Sequence, residues 1–323
     1  MEVPLVVGSF IPAILSFASV SILCPFFIVF LKKFGLTQPI RKELPADHQL
    51  KKGTPLMTGS IFILGVFIAL LFSRTPLMVF LSTTYILFGL IGFWDDFWKA
   101  SRQDPGGISG KTKLVFQFLF TGVLLYYLVS VAGIDTNIRI TDSFVISLPI
   151  LIYIAIIGLF VVGSANAINF TDGMDGLLGI VCIPTYFFFY CISESTEVQV
   201  FCLIMIACVL AFLIYNIYPA KAFMGDTGSL AIGGSLAFLA VYEKVEIIIP
   251  ILFFVYFAEQ LAVIMQVSYF KLTGKRIFRM TPIHFHFGLK YGWSENMIVI
   301  VFGLVSWICT FICLLYWRFF LHQ

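Results

Sequence analysis

Ten apolar runs, each close to the length of a membrane-spanning helix, divide this chain of 323 residues. An α-helix needs about 20 apolar residues to cross the hydrocarbon core of a bilayer. The runs are 8–31, 55–73, 77–94, 114–132, 144–163, 177–193, 198–217, 229–242, 247–270 and 297–319. Charged residues make up only 11% of the chain, against about 25% in soluble domains. The sequence predicts an all-α integral membrane protein with about ten transmembrane helices, forming a single polytopic domain over residues 1–323.

Lysine and arginine are distributed unequally over the connections between these runs. Alternate connections carry 16 of these residues on one side and 4 on the other. Because positive charge collects on cytoplasmic loops, the sequence predicts both termini outside the cytoplasm. The unusual polar segments then all lie on the cytoplasmic side, where we expect one site built from loops and helix ends. These segments are 50–60, 94–114, 166–176, 216–229 and 275–293.

Two adjacent carboxylates, Asp95 and Asp96, follow the third apolar run directly. Like charges at a low-dielectric edge raise each other's pKa unless a cation lies between them, and oxygen-rich sites suit Mg²⁺. The alternative is a solvated charge pair at a helix end, neutralised by Lys99 three or four residues further on.

The segment NAINFTDGMDG places four polar side chains three residues apart: Asn166, Asn169, Asp172 and Asp175. On a helix, successive members of such a series share one face. A cap for the next helix would use one of them and leave the others unexplained. We therefore expect a binding face of amides and carboxylates.

Two later segments add a carboxylate and imidazoles. In GDTGS, Asp226 precedes an apolar run and is either a helix cap or a metal ligand beside a helix start that favours phosphate. Asn216 and Lys221 can donate to an anion. In the last cytoplasmic segment, His284 and His286 stand among basic residues that either bind substrate or attract lipid headgroups.

Carboxylates, lysines and a metal are the groups that phosphoryl transfer requires, because that reaction depends on positioning and charge neutralisation. The polar segments contain no Ser-His-Asp or Cys-His constellation. Between membrane spans, such a site can meet a water-soluble nucleotide and a lipid phosphate.

The motifs KKGTPLM, WDDFWK, NAINFTDGMDG, NIYPAKAFMGDTGS and MTPIHFHF occur in that order from residue 51 to about 290. In this order the chain resembles the polyprenyl-phosphate phosphoglycosyl-1-phosphate transferases, and within them the muramoyl branch. The resemblance implies transfer of phospho-MurNAc-pentapeptide from UDP-MurNAc-pentapeptide to undecaprenyl phosphate, with release of UMP, in peptidoglycan synthesis. It also implies a Mg²⁺ cofactor and a multi-pass protein of the bacterial cytoplasmic (inner) membrane.

The resemblance assigns roles to residues of this chain. Asp95, Asp96, Asp172 and Asp175 are implied to be catalytic, and Asp226 to bind the metal. Substrate binding is implied for Lys51, Lys99, Asn169, Asn216, Phe223, Gln266, His284 and His286, and for Lys111 or Lys113, between which the sequence does not decide.

Two departures and two alternatives accompany this interpretation. Leu56 and Phe285 stand where the family usually has threonine and histidine. A UDP-GlcNAc-type transferase keeps the chemistry and changes the sugar, and an ion-coupled transporter would use its acidic residues in an ion path. The sequence also leaves a homodimer open. Besides the two substrates and membrane lipid, no nucleic-acid partner is expected.

Overall fold

The computed structural model describes residues 3–39 and 53–321, which are almost entirely helical where they are regular. The helices are α1 (Val3–Lys33), α2 (Ile63–Phe72), α3 (Pro76–Arg102), α4 (Gly110–Ser130), α5 (Ile150–Thr171), α6 (Leu177–Ile192), α7 (Thr196–Asn216), α8 (Gly225–Tyr242), α9 (Ile249–Leu252), α10 (Phe254–Thr273), α11 (Ile283–Tyr291) and α12 (Glu295–Tyr316). Short 3-10 helices, Thr58–Phe62 and Glu246–Ile248, precede α2 and α9, and a π-helical turn, Trp317–Leu321, follows α12.

A small antiparallel hairpin interrupts the helical pattern between α4 and α5. Its strands are β1 (Asn137–Arg139) and β2 (Val145–Ser147), paired with Ile138 opposite Ile146. The predicted run 144–163 therefore begins too early, because β2 and Pro149 precede the helix. Proline is tolerated at the start of a helix, but inside a helix it lacks the N–H that a hydrogen bond needs. The helix therefore begins after Pro149 and does not extend back into β2.

Six of the described helices are long and apolar enough to cross a membrane. They are Phe10–Lys33, Pro76–Arg102, Gly110–Ser130, Ile150–Thr171, Thr196–Asn216 and Glu295–Leu321. The helix pair Glu246–Leu252 and Phe254–Thr273, bent by 76°, makes a seventh if it is one span. Large apolar side chains such as Phe26 and Leu151 are exposed on the outside of the bundle, as expected where lipid replaces water. The chain is therefore an all-α, multi-pass membrane protein.

Hydroxyl side chains cap several of the helices at their N-termini. Thr75 accepts a hydrogen bond from Met78 N at the start of α3, and Ser109 accepts one from Thr112 N at the start of α4. Such caps provide partners for N–H groups that have none within the helix. They fix where α3 and α4 begin, and so which of their residues reach the opposite end.

Helix α8 forms the centre of the bundle, packing against α3 and α5. All of its residues except Asp226 and the terminal Tyr242 are buried. Small residues allow this close approach, as is typical of membrane helices. A Cβ at Gly233 would lie 2.8 Å from Ala165 Cα, and one at Gly234 would lie 2.3 Å from a ring carbon of Phe88. The tight contacts bring the start of α8 against the ends of α3 and α5.

Candidate active site

The two adjacent aspartates of α3 make different contacts. Asp96 is fully buried and accepts three hydrogen bonds from the start of α8. The donors are Asp226 N at 3.1 Å, and Thr227 N and Oγ1 at 2.8 and 2.7 Å. A Cβ at Gly225, where φ is +74°, would lie 2.4 Å from Asp96 Oδ2. Since a carboxylate near a helix N-terminus is favoured by its free N–H groups and dipole, Asp96 holds the first turn of α8 in place.

Asp95 contacts lysines instead. It is 1% exposed, and its Oδ2 lies 2.5 Å from Lys99 Nζ and 2.9 Å from Lys113 Nζ. Its other oxygen accepts a hydrogen bond from Ile108 N at 2.8 Å. The backbone approaches so closely that a Cβ at Gly107 would lie 2.3 Å from Asp95 Oδ1. Asp95 thereby joins α3 to the loop before α4 and to α4 itself.

Asp226, at the start of α8, completes the cluster. Its Oδ2 accepts a hydrogen bond from Lys99 Nζ at 3.1 Å and is in direct contact with Lys113 Nζ. Its Oδ1 accepts one from Asn169 Nδ2 at 2.9 Å. The side chains of Asp226 and both lysines are 17–18% exposed, whereas Asp95 is closed off. Three aspartates predicted from separate motifs therefore meet, with Asp226 and the two lysines accessible. We call Asp95, Asp96, Asp226, Lys99 and Lys113 the carboxylate–lysine cluster.

The carboxylate–lysine cluster fits a divalent cation. Ligand oxygens of Asp95, Asp96 and Asp226 lie within 4.8 Å of one another, and Mg²⁺ and Ca²⁺ prefer oxygen ligands. Three carboxylates against two lysines leave one negative charge unbalanced. All three carboxylates have partners at both oxygens. Asp226 is the one of the three that is partly exposed, so it is the best placed to bind a metal.

Asn169 links the end of α5 to this cluster. Besides its bond to Asp226, its Nδ2 donates to Ser229 Oγ at 2.7 Å. Ser229 Oγ in turn donates to Gly225 O at 2.9 Å. The amide therefore orients the Asp226 carboxylate, and the predicted substrate-binding role of Asn169 stays a prediction.

Asp172 directly follows α5 and lies beside the start of α8. It is partly buried, and the backbone N–H of Gly225 donates to it. Burial, and after it the charges of Asp226 and Asp96, raise the pKa of Asp172 well above its ordinary value. The structure thus brings Asp172 of NAINFTDGMDG beside the carboxylate–lysine cluster.

Asp175 and Asn216 connect two loops at this end of the bundle. Asp175 accepts a hydrogen bond from Ala220 N at 2.9 Å. Asn216 accepts one from Gly176 N at 3.1 Å and donates to Ala222 O at 2.8 Å. Both side chains are 4% exposed. They hold the loop after α5 against the loop before α8.

The remaining predicted residues of the other segments differ in burial and in contacts. Phe223 is partly buried, and its backbone pairs with Pro55 O and Thr58 N at 2.9 and 3.0 Å. Lys113 belongs to the cluster, whereas Lys111 is exposed. Lys51 lies outside the described residues.

The two histidines of α11 have different environments. His284 is fully buried beside Glu259 of α10, with its Nδ1 3.0 Å from Glu259 Oε1. His286 Nδ1 accepts a hydrogen bond from Arg279 N at 3.0 Å. Burial, and then the charges of Lys290 and Arg279, lower the pKa of His286, so its imidazole is neutral at neutral pH.

Gln266 fixes the basic loop between α10 and α11. Its Oε1 accepts hydrogen bonds from Ile277 N and Phe278 N at 3.0 and 2.9 Å. Beside it lies a cavity of 340 Å³ whose basic lining residues are Lys271, Arg276 and Arg279, and a second cavity of 520 Å³ shares both arginines. The combination suits an anionic ligand.

Sequence reasoning missed two positions that contact predicted site residues, Thr227 beside Asp96 and Glu259 beside His284. Thr227 was considered only as a cap, whereas its hydroxyl donates to Asp96. Glu259 is the one carboxylate in the apolar run 247–270. A lone ionisable residue inside a span is expensive and often functional, so the signal was present.

Comparisons with known proteins place the chain among membrane glycosyl transferases. Residues 77–244 match the model of glycosyl transferase family 4. A phospho-N-acetylmuramoyl-pentapeptide-transferase of Shouchella clausii is 40% identical over 305 residues, covering 91% of this chain and 93% of the relative. The enzyme of the same name from Clostridium acetobutylicum is 41% identical, covering 90% and 93%, and that of Staphylococcus carnosus is 40% identical, covering 92% and 95%. The chain therefore belongs to glycosyl transferase family 4, and within it to the phospho-N-acetylmuramoyl-pentapeptide-transferases.

Proposed function

We propose that this chain transfers phospho-MurNAc-pentapeptide from UDP-MurNAc-pentapeptide to undecaprenyl phosphate, releasing UMP and forming lipid I, the first lipid-linked precursor of peptidoglycan. One observation carries the proposal beyond family membership. The carboxylate–lysine cluster lies at one end of apolar helices and keeps Asp226, Lys99 and Lys113 accessible. A site in that position can receive a soluble nucleotide and a lipid phosphate together.

The main obstacle to this reaction is electrostatic. The lipid phosphate must approach a diphosphate that is itself negative. At about 4 Å, two unit charges repel by roughly 4 kcal/mol at an effective dielectric constant of 20. Lys99 and Lys113 lie where they can offset part of this repulsion, since both already contact Asp226 and Asp95.

The carboxylates supply the complementary part. Asp226, with Asp95, is the proposed holder of Mg²⁺, and the cation would neutralise the diphosphate and stabilise the departing UMP. Asp96 keeps the start of α8 in position, and Asn169 orients the Asp226 carboxylate. These residues fix the geometry of the site before the substrate binds. Such electrostatic preorganisation supplies most of the rate enhancement of many enzymes.

Asp172 is the proposed contact for the reacting lipid phosphate. A phosphomonoester has a second pKa of about 6, so it is largely dianionic at neutral pH and leaves a general base little to remove. Asp172 therefore orients the phosphate or takes its residual proton, and the phosphate oxygen attacks the sugar-linked phosphorus directly. Its position beside Gly225 supports this role.

The same arrangement supports a topology. We propose ten spans in the bacterial inner membrane, with both termini outside and the carboxylate–lysine cluster at the cytoplasmic face. The charge asymmetry of 16 to 4 and the gathering of the polar segments at one end support this orientation. Cysteines introduced at Gln103 and Lys275 should react with an impermeant reagent only from the cytoplasm, whereas one at Arg139 should react from outside. Labelling of a cysteine at position 103 from outside intact cells would indicate the opposite orientation.

The activity itself is tested with purified protein, undecaprenyl phosphate and either UDP-MurNAc-pentapeptide or UDP-GlcNAc, with UMP release as the measurement. We expect release only with the muramoyl substrate, and loss of release in Asp226→Asn. Release with UDP-GlcNAc alone would assign the chain to another sugar. If neither sugar nucleotide yields UMP in the presence of Mg²⁺, the transferase function is rejected.

A further inference from the structure

A buried acid–imidazole pair lies outside the carboxylate–lysine cluster. Glu259 of α10 and His284 of α11 are both 0% exposed. Glu259 Oε1 lies 3.0 Å from His284 Nδ1, and Oε2 accepts a hydrogen bond from the His284 backbone N–H at 3.3 Å. An ionisable residue in an apolar helix is costly unless it is paired and hydrogen-bonded. Both oxygens of Glu259 are used on one residue.

This pairing determines which ring nitrogen of His284 remains for other contacts. A carboxylate accepts and cannot donate, so the proton of the pair lies on Nδ1 of His284. The other nitrogen, Nε2, is buried and has no hydrogen-bond partner among the described residues. A buried polar atom without a partner costs free energy, and is retained where a ligand uses it.

The free nitrogen points at the loop that carries Asp172. A Cβ at Gly173 would lie 2.5 Å from both Nε2 and Cε1 of His284. Glycine at this position therefore admits the ring edge, directly beside Asp172 in the chain. Two independent features, the Glu259 carboxylate behind the ring and the absent side chain in front of it, hold Nε2 at this loop.

We propose that Glu259 is a positioning residue for the transfer reaction, fixing His284 with Nε2 directed to the Asp172 loop, where it hydrogen-bonds a polar group of the bound sugar nucleotide. The proposal rests on the proposed function, because activity is measured as UMP release. It separates the two histidines of α11. His284 is held by a side chain and keeps Nε2 for substrate, whereas Arg279 N donates to Nδ1 of His286.

A double-mutant cycle tests the coupling of Glu259 to His284. His284→Asn keeps an amide that can donate to Glu259 in the place of Nδ1 and removes Nε2. Glu259→Gln removes the carboxylate that sets the tautomer. Each should lower kcat/KM by about 10- to 100-fold, by analogy with the loss of a group that orients a metal-bound histidine. The double variant should be no worse than His284→Asn alone, because both changes remove one interaction.

Two outcomes of this cycle would overturn the proposal. Losses that multiply would mean that Glu259 acts independently of His284, and unchanged activity in Glu259→Gln would remove its role. Glu246→Gln, at the other end of the bundle, is the matched control for loss of a buried carboxylate. It should lower the thermal midpoint and leave kcat/KM per folded molecule within twofold.

Gly173→Ala approaches the same ring from the opposite side and leaves Glu259 intact. The new methyl group should displace the ring and lower kcat/KM by at least about tenfold, with no further loss in the His284→Asn background. Gly122→Ala is the control, since a Cβ there meets nothing within 4 Å. If the wild-type protein is active and Gly173→Ala is equally active, the positioning of Nε2 is refuted and the transferase function is not. An inactive wild-type protein would instead reject the transferase function.

Discussion

Helices α5 and α8 carry a buried group of charges at each end, and the two groups differ in composition and access. At one end, Asn169 and Asp226 belong to or contact the carboxylate–lysine cluster. At the other, Tyr153 of α5 contacts Lys244, which follows α8. Tyr153 and Asn169 are about 24 Å apart along the helix, from a rise of about 1.5 Å per residue. The same two helices thus present a direct comparison between two polar sites.

The distal group joins a buried lysine to a buried glutamate. Lys244 Nζ donates to Tyr153 Oη at 3.0 Å, to Asp135 O at 3.1 Å and to Glu246 Oε1 at 3.2 Å. An ammonium group has three donors, and all three are used. Tyr153 Oη also donates to Glu246 Oε1 at 3.0 Å, while Lys244 and Glu246 are each 8% exposed. We call Tyr153, Lys244, Glu246 and Asp135 the distal lock.

The difference shows how a buried ionic group for binding differs from one for holding a fold together. In the distal lock, Lys244 pairs with buried Glu246 and, at 3.6 Å, with the Asp135 carboxylate, which also contacts Arg139 at 3.5 Å. All three donors of Lys244 have acceptors. The carboxylate–lysine cluster instead leaves both lysines and Asp226 17–18% exposed. Charged groups with partial access can accept a ligand, whereas a buried lysine whose donors are all used joins segments.

The largest effect should come from Asp226→Asn. We expect kcat to fall by about 100- to 1000-fold, as when one preorganised electrostatic group is removed, and the half-saturating Mg²⁺ concentration to rise. The thermal midpoint should change little, because Lys99 and Lys113 keep Asp95 as partner. UMP release against Mg²⁺ concentration measures the first two, and a melting scan the third. If Asp226→Asn instead lowered the thermal midpoint and left kcat unchanged, the carboxylate–lysine cluster would be structural, like the distal lock.

Asp172→Asn should act on rate alone. We expect kcat to fall by about 100-fold with the Mg²⁺ midpoint nearly unchanged, at the lower end of what a general acid–base group contributes. A Mg²⁺ midpoint that moved with Asp172 and stayed fixed with Asp226 would exchange the two roles. A phosphoryl group trapped on Asp172 would overturn direct attack.

The lysines of α4 provide a smaller and sharper contrast. Lys113→Met should lower kcat/KM by about tenfold, because it removes one charge from the cluster; tenfold corresponds to about 1.4 kcal/mol in the activation barrier. Lys111→Met, two residues away on an exposed position, should stay within twofold. UMP-release kinetics of both variants decide this. Equal losses would mean that the family's basic position is shared by the two lysines.

Much of this cluster follows from the sequence, because charge asymmetry placed its motifs on one side. Asp95, Asp96 and Asp226 were each recognised in their motifs and do meet. The sequence did not separate Lys111 from Lys113, since both lie in the first turn of α4 and only the rotation of that helix decides which one faces Asp95. It also did not divide the roles of Asp95 and Asp96, because Asp96 depends on the exact approach of Thr227.

Long-range pairs were the least predictable part. Glu259 and His284 are 25 residues apart and meet only because the segment between them folds back from α10. The bend of 76° before α10 changes the direction of that helix, and no local pattern predicts its size. Each of the ten apolar runs overlaps a helix, although run 144–163 began within the hairpin. Six of the described helices, or seven with the bent pair, are long and apolar enough to cross a membrane, so the count of ten spans stays a prediction.

The distal lock should respond in stability and not in activity. Lys244→Met leaves Glu246 buried without its cation, and breaking a buried pair costs about 3–5 kcal/mol. We expect a lower thermal midpoint in detergent, with kcat/KM of the folded protein within twofold. A loss of activity at unchanged stability would contradict the assignment of this group as structural.

Replacing both residues of the Lys244–Glu246 ion pair should have the smallest effect of all. In Lys244→Met combined with Glu246→Leu no buried charge is left unpaired, and such apolar replacement of a buried pair is often neutral or stabilising. We expect the thermal midpoint to return to near the wild-type value, because the half-exposed Asp135 carboxylate keeps its contact with Arg139. Otherwise only the Asp135 carbonyl and the Tyr153 hydroxyl lose a partner. The corresponding replacement in the carboxylate–lysine cluster is Asp95→Leu with Lys99→Met. This double variant should be inactive, since the charges of this cluster act on the substrate. Measuring stability and UMP release in both double variants therefore separates a group that a hydrophobic pair can replace from one that it cannot. A distal double variant as unstable as Lys244→Met alone would show that the hydrogen bonds of Tyr153 and Asp135, rather than the ion pair, hold this end of the bundle.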